Sequence, residues 1–216
     1  MNRIYGVIGL GRFGFYVAKT LSELGAEVIA IDLDEQKVKQ VADFVTHAYV
    51  ADALDEKALE EAGIFNADTV IVSVGQNVEA SIFVVVILME RGIKEIIAKA
   101  INPIHGKVLE KLGVKRVVYP EMETAIKLAH TLLFRGVIEE FPFAPGYSIF
   151  EIKAPEDFVG KTLKELDLRK RFGITVIAIK KPNGQVMVNP SGENRIEKED
   201  VLLILGSEEN VLKFSR

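Results

Sequence analysis

The 216-residue sequence contains no cysteine. That removes disulfides, thiolate nucleophiles and thiolate metal sites together, and it suits a reducing compartment. Histidine is scarce: His47, His105 and His130 are scattered, and without cysteine they form no conventional zinc ligand set. There is no basic excess, because 27 Lys and Arg stand against 31 Asp and Glu for a formal charge of −4. Nucleic acid and anionic membrane surfaces are therefore poor partners. The longest strictly apolar run covers residues 82–89, far below the roughly 20 residues that cross a bilayer. The opening MNRIYG passes directly into a strand-like run, so no signal peptide is expected and a cytoplasmic location is. Hydrophobic residues at 49% supply ample core, and the length suits one large domain or a medium domain plus a small one.

What is present is organised around GLGRFG, residues 9–14. An uncharged, β-branched run at 4–8 precedes it, and Phe13, Val17, Leu21 and Leu24 follow at helical spacing. The glycines thus fall at a strand-to-helix turn. Gly9 permits the tight turn, Gly11 lets the backbone approach a phosphate, and Gly14 lets helix pack close to strand. The free N–H groups and positive dipole end of the new helix favour an anion. Asp32 closes the next apolar run, near the distance expected of a ribose-binding acid.

Strand and helix patterns then alternate to about residue 135, which predicts a doubly wound parallel sheet. Strands are expected at 27–32, 47–50, 69–74, 95–100 and 116–119, with helices after Asp34, at 56–62, at Pro103 and after Pro120. The helix holding residues 82–89 is apolar all round, more than one sheet face can cover, and this predicts an oligomer. Periodicity stops between Gly136 and Gly146, where Pro142 and Pro145 mark a linker. Two domains are expected, 1–140 and 141–216. The second is a small α+β unit with strands at 147–153, 175–180, 185–188 and 201–205, Asn183-Gly184 marking a hairpin.

These residues resemble the KtrA/TrkA-type regulatory subunits built from RCK (regulator of potassium conductance) domains. The resemblance spans the chain and is carried by GLGRFG, by IDLD at 31–34, ADA at 51–53, VSVGQNVEAS at 72–81 and AKA at 98–100. VLEKLGVKRVVYPE at 108–121 and GKTLKELDLRKRFGITVIAI at 160–179 add to it. It implies a Rossmann-like N-terminal domain followed by a small RCK C-terminal domain. It also implies a non-enzymatic protein forming a homo-oligomer, from a dimer to an octameric ring, at the inner face of the membrane beneath a Ktr/Trk-type potassium-translocating subunit. ATP and ADP would favour different ring shapes, with Mg2+ or another divalent cation involved, and NAD(H) is the alternative ligand. In some relatives cyclic di-AMP binds the C-terminal domain. Arg169, Lys170 and Arg171 form a basic cluster there that meets either a phosphate or only solvent.

The binding set implied by motif and resemblance together is Gly9, Gly11, Arg12, Phe13, Gly14, Asp32, Leu33, Asp34, Asp52, Ala53, Val74, Gly75, Gln76, Lys99, Ala100, Ile101, His105 and Glu121. Arg12 offers a fork of donors for a γ-phosphate, by resemblance in the partner subunit; otherwise it is a solvated arginine at a helix start, where positive charge is unfavourable. Glu121 resembles a glutamate that helps hold the divalent cation, and equally fits as helix N-terminal charge. Lys99 sits where open sheets bind ligands. Asp34 reads also as a helix cap, Asp52 as a turn acid, and His105 as a surface helix histidine. An NAD-dependent oxidoreductase is the main rival, but a small second domain without histidine offers little for hydride transfer. No helix-turn-helix supports a transcription factor.

Overall fold

The computed structural model describes residues 3–75, 77–133 and 136–214. They form two compact units that divide between Pro120 and Glu121.

The first unit alternates β1 (Ile4–Ile8), α1 (Arg12–Glu23), β2 (Glu27–Asp32), α2 (Glu35–Ala42), β3 (His47–Val50) and α3 (Glu56–Glu61). It continues with β4 (Thr69–Val72), α4 (Val78–Glu90), β5 (Glu95–Lys99), α5 (Pro103–Leu112) and β6 (Arg116–Val118). The six strands are parallel in the order β3-β2-β1-β4-β5-β6. Successive side chains of a strand point to opposite faces, so the apolar runs feed two separate cores. Ile8, Ile29, Ile31, Val70 and Val72 join one with Leu59, Val84 and Leu88. Val7, Val28, Ala30 and Ile71 join the other with Ala18, Val38 and Val41.

Within α4 only one stripe is buried, Ser81, Val84, Val85 and Leu88. Ile82, Ile87 and Met89 lean on the same core, whereas Phe83 stays 51% exposed. The apolar excess expected from the sequence thus has a definite outward residue.

The second unit holds most of α6 (Pro120–Leu133), then β7 (Val137–Ala144), β8 (Tyr147–Lys153), α7 (Leu163–Leu166), α8 (Leu168–Phe172) and β9 (Thr175–Lys180). It ends with β10 (Val186–Val188), β11 (Val201–Ser207) and α9 (Glu208–Phe214). The strands form an antiparallel sheet, β10-β9-β11-β8-β7. Alternation in β8 buries Ser148, Phe150 and Ile152, and β11 contributes Leu202 and Ile204 to the same core. None of the residues of α6 is buried.

The segment expected to be a linker, 136–146, is instead strand β7, paired with β8 from Val137↔Ile152 to Ala144↔Tyr147. Two register shifts, between Val137 and Glu139 and between Pro142 and Ala144, break its period-two pattern. Pro142 is tolerated because β7 is an edge strand, where a missing N–H breaks no interior ladder. Pro145 and Gly146 form only the hairpin turn.

Candidate functional site

With every strand of the first sheet parallel, the C-terminal strand ends share one edge, and the order reverses there between β1 and β4. The glycine loop follows β1, Asp32 ends β2, Asp52 follows β3, Val74 and Gly75 follow β4, and Lys99 to Ile101 follow or end β5.

Two of the three loop glycines are demanded by the chain itself. Gly9 has φ +92°, and a Cβ there would lie 2.8 Å from the Ser73 carbonyl group. A Cβ on Gly14 would strike the carbonyl oxygen of Gly9. Gly11 differs: its φ of −61° suits any residue, and a Cβ there would meet nothing within 4 Å. What a side chain at Gly11 would fill is open space in front of the helix start. No side chain caps α1, and no acidic residue occupies its first turn. Its leading amides and positive dipole end therefore face outward uncompensated, a site suited to an anion. Arg12 is exposed beside them and has no hydrogen bond or ion pair among the described residues. Phe13 is half-buried against the core under α1.

The Asp32 carboxylate shapes this loop. One oxygen accepts the Leu10 N–H at 2.6 Å, and the other accepts the Asp34 N–H at 2.9 Å and the Lys37 amine at 3.4 Å. A carboxylate oxygen accepts twice, so the oxygen facing Leu10 retains capacity for a ribose hydroxyl. Asp34 caps α2 by accepting the Gln36 N–H at 2.9 Å, while Leu33 is exposed. Asp52 closes an Asx turn on the Leu54 N–H, also at 2.9 Å. Ala53 and Val74 lean on the core. Lys99 lies over Gly75, where a Cβ would meet its amine at 3.5 Å. Gln76 falls outside the described residues. Ala100 is buried and donates its N–H to the Val118 carbonyl at 2.9 Å, and Ile101 is exposed.

His105 departs from a surface histidine: it is 2% exposed, and burial holds its pKa below the ordinary value. Glu121 is exposed in the first turn of α6 and belongs to the second unit. No group of three or more His, Asp or Glu able to hold a metal occurs among the described residues. Lys37 and Ser73 were not legible as parts of this edge. Lys37 reaches it by lying one helical turn beyond Asp34, 3.9 Å from that carboxylate, and Ser73 by packing against Gly9 and Gly14.

The family model of the TrkA-N domain matches residues 5–120, and that of the TrkA-C domain matches residues 147–216. "Ktr system potassium uptake protein C" of Bacillus subtilis (strain 168) is 40% identical over 216 residues, covering 100% of this chain and 97% of that protein. The chain belongs to the KtrA/TrkA family. "Ktr system potassium uptake protein A" of the same organism is 38% identical over 213 residues, covering 99% of this chain and 96% of that one. Among solved structures, "GsuK channel bound to NAD" shares the fold at TM-score 0.54 and 23% identity, covering 99% of this chain and 38% of that longer chain.

In this KtrA/TrkA chain the second unit carries its own cavity, about 330 Å³, bordered by Lys164, Asp167, Arg169, Thr175 and Pro190 over an apolar floor of Leu168, Ile174 and Val176. The basic cluster divides there. Arg169 borders the cavity, whereas Arg171 folds back, donating to the Leu166 carbonyl at 3.2 Å and stacking over Phe172. Other charges of this unit are tied internally. His130 meets the buried Glu140 at 2.6 Å, and Lys181 meets the fully buried Asp200 at 2.9 Å and Glu197 at 3.1 Å. Burial works to lower the Lys181 pKa, but its bonds to Asp200 and Glu197 outweigh this and raise it.

Proposed function

We propose that the protein is a nucleotide-sensing regulatory subunit of a Ktr/Trk-type potassium transporter, acting in the cytoplasm beneath a membrane-embedded translocating partner. The observation that carries this reading is Arg12, exposed and unpartnered among the described residues at the uncapped start of α1, with open space in front of Gly11. The α1 amides receive phosphates common to ATP and ADP, Asp32 accepts from the ribose, and Arg12 reads the γ-phosphate that ADP lacks, in its own or a neighbouring subunit. A ligand shifts a conformational equilibrium only by its differential affinity for the two states, so the γ-phosphate contact is what separates ATP from ADP. Glu121 supplies one carboxylate oxygen to Mg2+ or another divalent cation, whose remaining ligands are phosphate oxygens and water, the usual arrangement for magnesium.

A homo-oligomer, dimeric and then an octameric ring, is supported by α6, whose Ile126, Leu128, Leu132 and Leu133 are all exposed, and by Phe83 on α4. The names of the Bacillus subtilis relatives place them in potassium uptake, and no helix among the described residues is long and apolar enough to cross a membrane. The role is binding without turnover: the second unit's His130 and Lys181 are engaged with Glu140 and Asp200 rather than left for acid–base work. The cavity beside Arg169 is the place for cyclic di-AMP.

The test is calorimetry with ATP, ADP, NADH and NAD⁺, with and without Mg2+, while light scattering follows oligomer size. Arg12→Ala is expected to lose ATP preference while largely keeping ADP; equal weakening of both removes the γ-phosphate role. Preference for NADH would install the second reading, a NAD(H)-responsive subunit, which Asp32 at the ribose position favours. Arg169→Ala is expected to abolish cyclic di-AMP binding alone.

A further inference from the structure

Two cationic residues border the cavity of the second unit, and their charges are placed differently. Arg169 has no hydrogen bond or ion pair among the described residues. Lys164 turns its ammonium to Glu193, 3.1 Å from a carboxylate oxygen. Glu193 itself does not border the cavity, so the lysine stem lies along the wall while its charge is drawn aside.

The main chain sets this pair face to face. The Leu163 and Lys164 amides, in the first turn of α7, donate to the carbonyls of Asn194 and Gly192 at 3.0 and 2.8 Å. The Asn194 side chain closes that turn, its Oδ1 accepting the Ser191 N–H at 2.6 Å and the Ser191 hydroxyl at 2.9 Å. Glu193 is thereby fixed in the middle of a turn fastened to the helix that carries Lys164. The next amide, Glu165 N–H, donates to the Thr162 hydroxyl at 3.2 Å. With the leading amides of α7 all engaged, negative charge on a ligand here has to be met by side chains.

The lysine is held aside only weakly. Its side chain is 74% exposed and that of Glu193 75%, so water competes with the contact. Against the apolar floor of Leu168, Ile174 and Val176, a phosphodiester that excludes water would meet the ammonium on better terms. The flexible four-carbon stem allows the exchange of one anion for the other.

We infer that Lys164 is a second phosphate contact of this cavity, beside Arg169, and that Glu193 restrains it by holding the ammonium until a ligand phosphodiester takes the place of the carboxylate. This rests on the reading of the cavity as a cyclic di-AMP site.

The test is a double-mutant cycle in the full-length protein, with cyclic di-AMP affinity measured by calorimetry for wild type, Lys164→Met, Glu193→Gln and the two together. Lys164→Met should weaken binding about fivefold, and Lys164→Arg, which keeps a charge on a long stem, should stay within about twofold of wild type. Glu193→Gln should tighten binding about threefold when Lys164 is present and leave it unchanged when residue 164 is already methionine. Unaltered affinity in Lys164→Met would overturn the contact. Equal losses in the methionine and arginine variants would assign the effect to packing of the stem and overturn it too. Equal tightening by Glu193→Gln in both backgrounds would mean that the carboxylate merely repels the ligand, which would sink the restraint. If the wild-type protein binds no cyclic di-AMP, the cavity reading fails and the inference falls with it. Binding that Arg169→Ala abolishes and Lys164→Met leaves intact would spare the reading and remove the inference alone.

Discussion

The two units treat charge in opposite ways. Along the glycine-loop edge of the first, no side chain caps the amides of α1 and the Arg12 guanidinium has no partner among the described residues, while the sheet beneath them is apolar on both faces. The second unit takes carboxylates inward and gives them partners there: Asp200 is paired with Lys181, and Glu140 is hydrogen-bonded to the His130 ring. Unsatisfied donors at an edge are an invitation to an anion, whereas paired charges in a core fix one arrangement of the chain.

The largest expected effect breaks the first side of that contrast. Gly9→Val combines a left-handed backbone with a collision against Ser73 and should cost about 3 kcal/mol or more in urea unfolding. Gly11→Ala, in open space, should leave stability within roughly 0.5 kcal/mol yet weaken nucleotide binding, so that the pair divides packing from ligand approach. Next, Asp200→Ala strips Lys181 of its buried partner and should destabilise the second unit by about 2–4 kcal/mol, with nucleotide binding by the first retained. Equal loss from both units would mean they do not unfold independently.

A pH series sharpens the contrast further. The unfolded His105 ring takes up its proton near the ordinary value of about 6.5, whereas the buried ring resists protonation. Between those points the unfolded chain binds more protons, so this contribution is complete above the ordinary value and declines as the solution is made more acidic. His105→Asn should remove that part of the acid sensitivity in thermal melts. The smallest effect is Asp55→Ala, which uncaps α3 at the Lys57 and Ala58 amides and should cost about 1 kcal/mol.

Much of the first unit was legible because its strands are short, continuous apolar runs punctuated by caps. Strands 4–8, 27–32 and 47–50 stand where the sequence puts them, and Asp34 and Asn102 cap the helices that follow. β4 and β5 end earlier than their apolar runs, at Val72 and Lys99, because the remaining residues turn away to form the edge. β7 was hidden because register shifts erase the alternation on which strand reading depends. At the site, the glycines and Asp32 were visible from spacing alone. The anchoring of the Leu10 amide by Asp32 was not, since it depends on two strands lying side by side. The same holds for His105, whose burial follows from packing that one helix cannot reveal.

The outer rims of the second sheet constrain how copies of this chain can meet. One rim, β10, is only three residues long, and the other, β7, is interrupted by Pro142 and bent by two register shifts. Neither offers the long, flat row of free N–H and C=O groups that lets strands from separate molecules zip together. The second sheet is in this way guarded against open-ended strand addition, the route by which exposed rims build fibres.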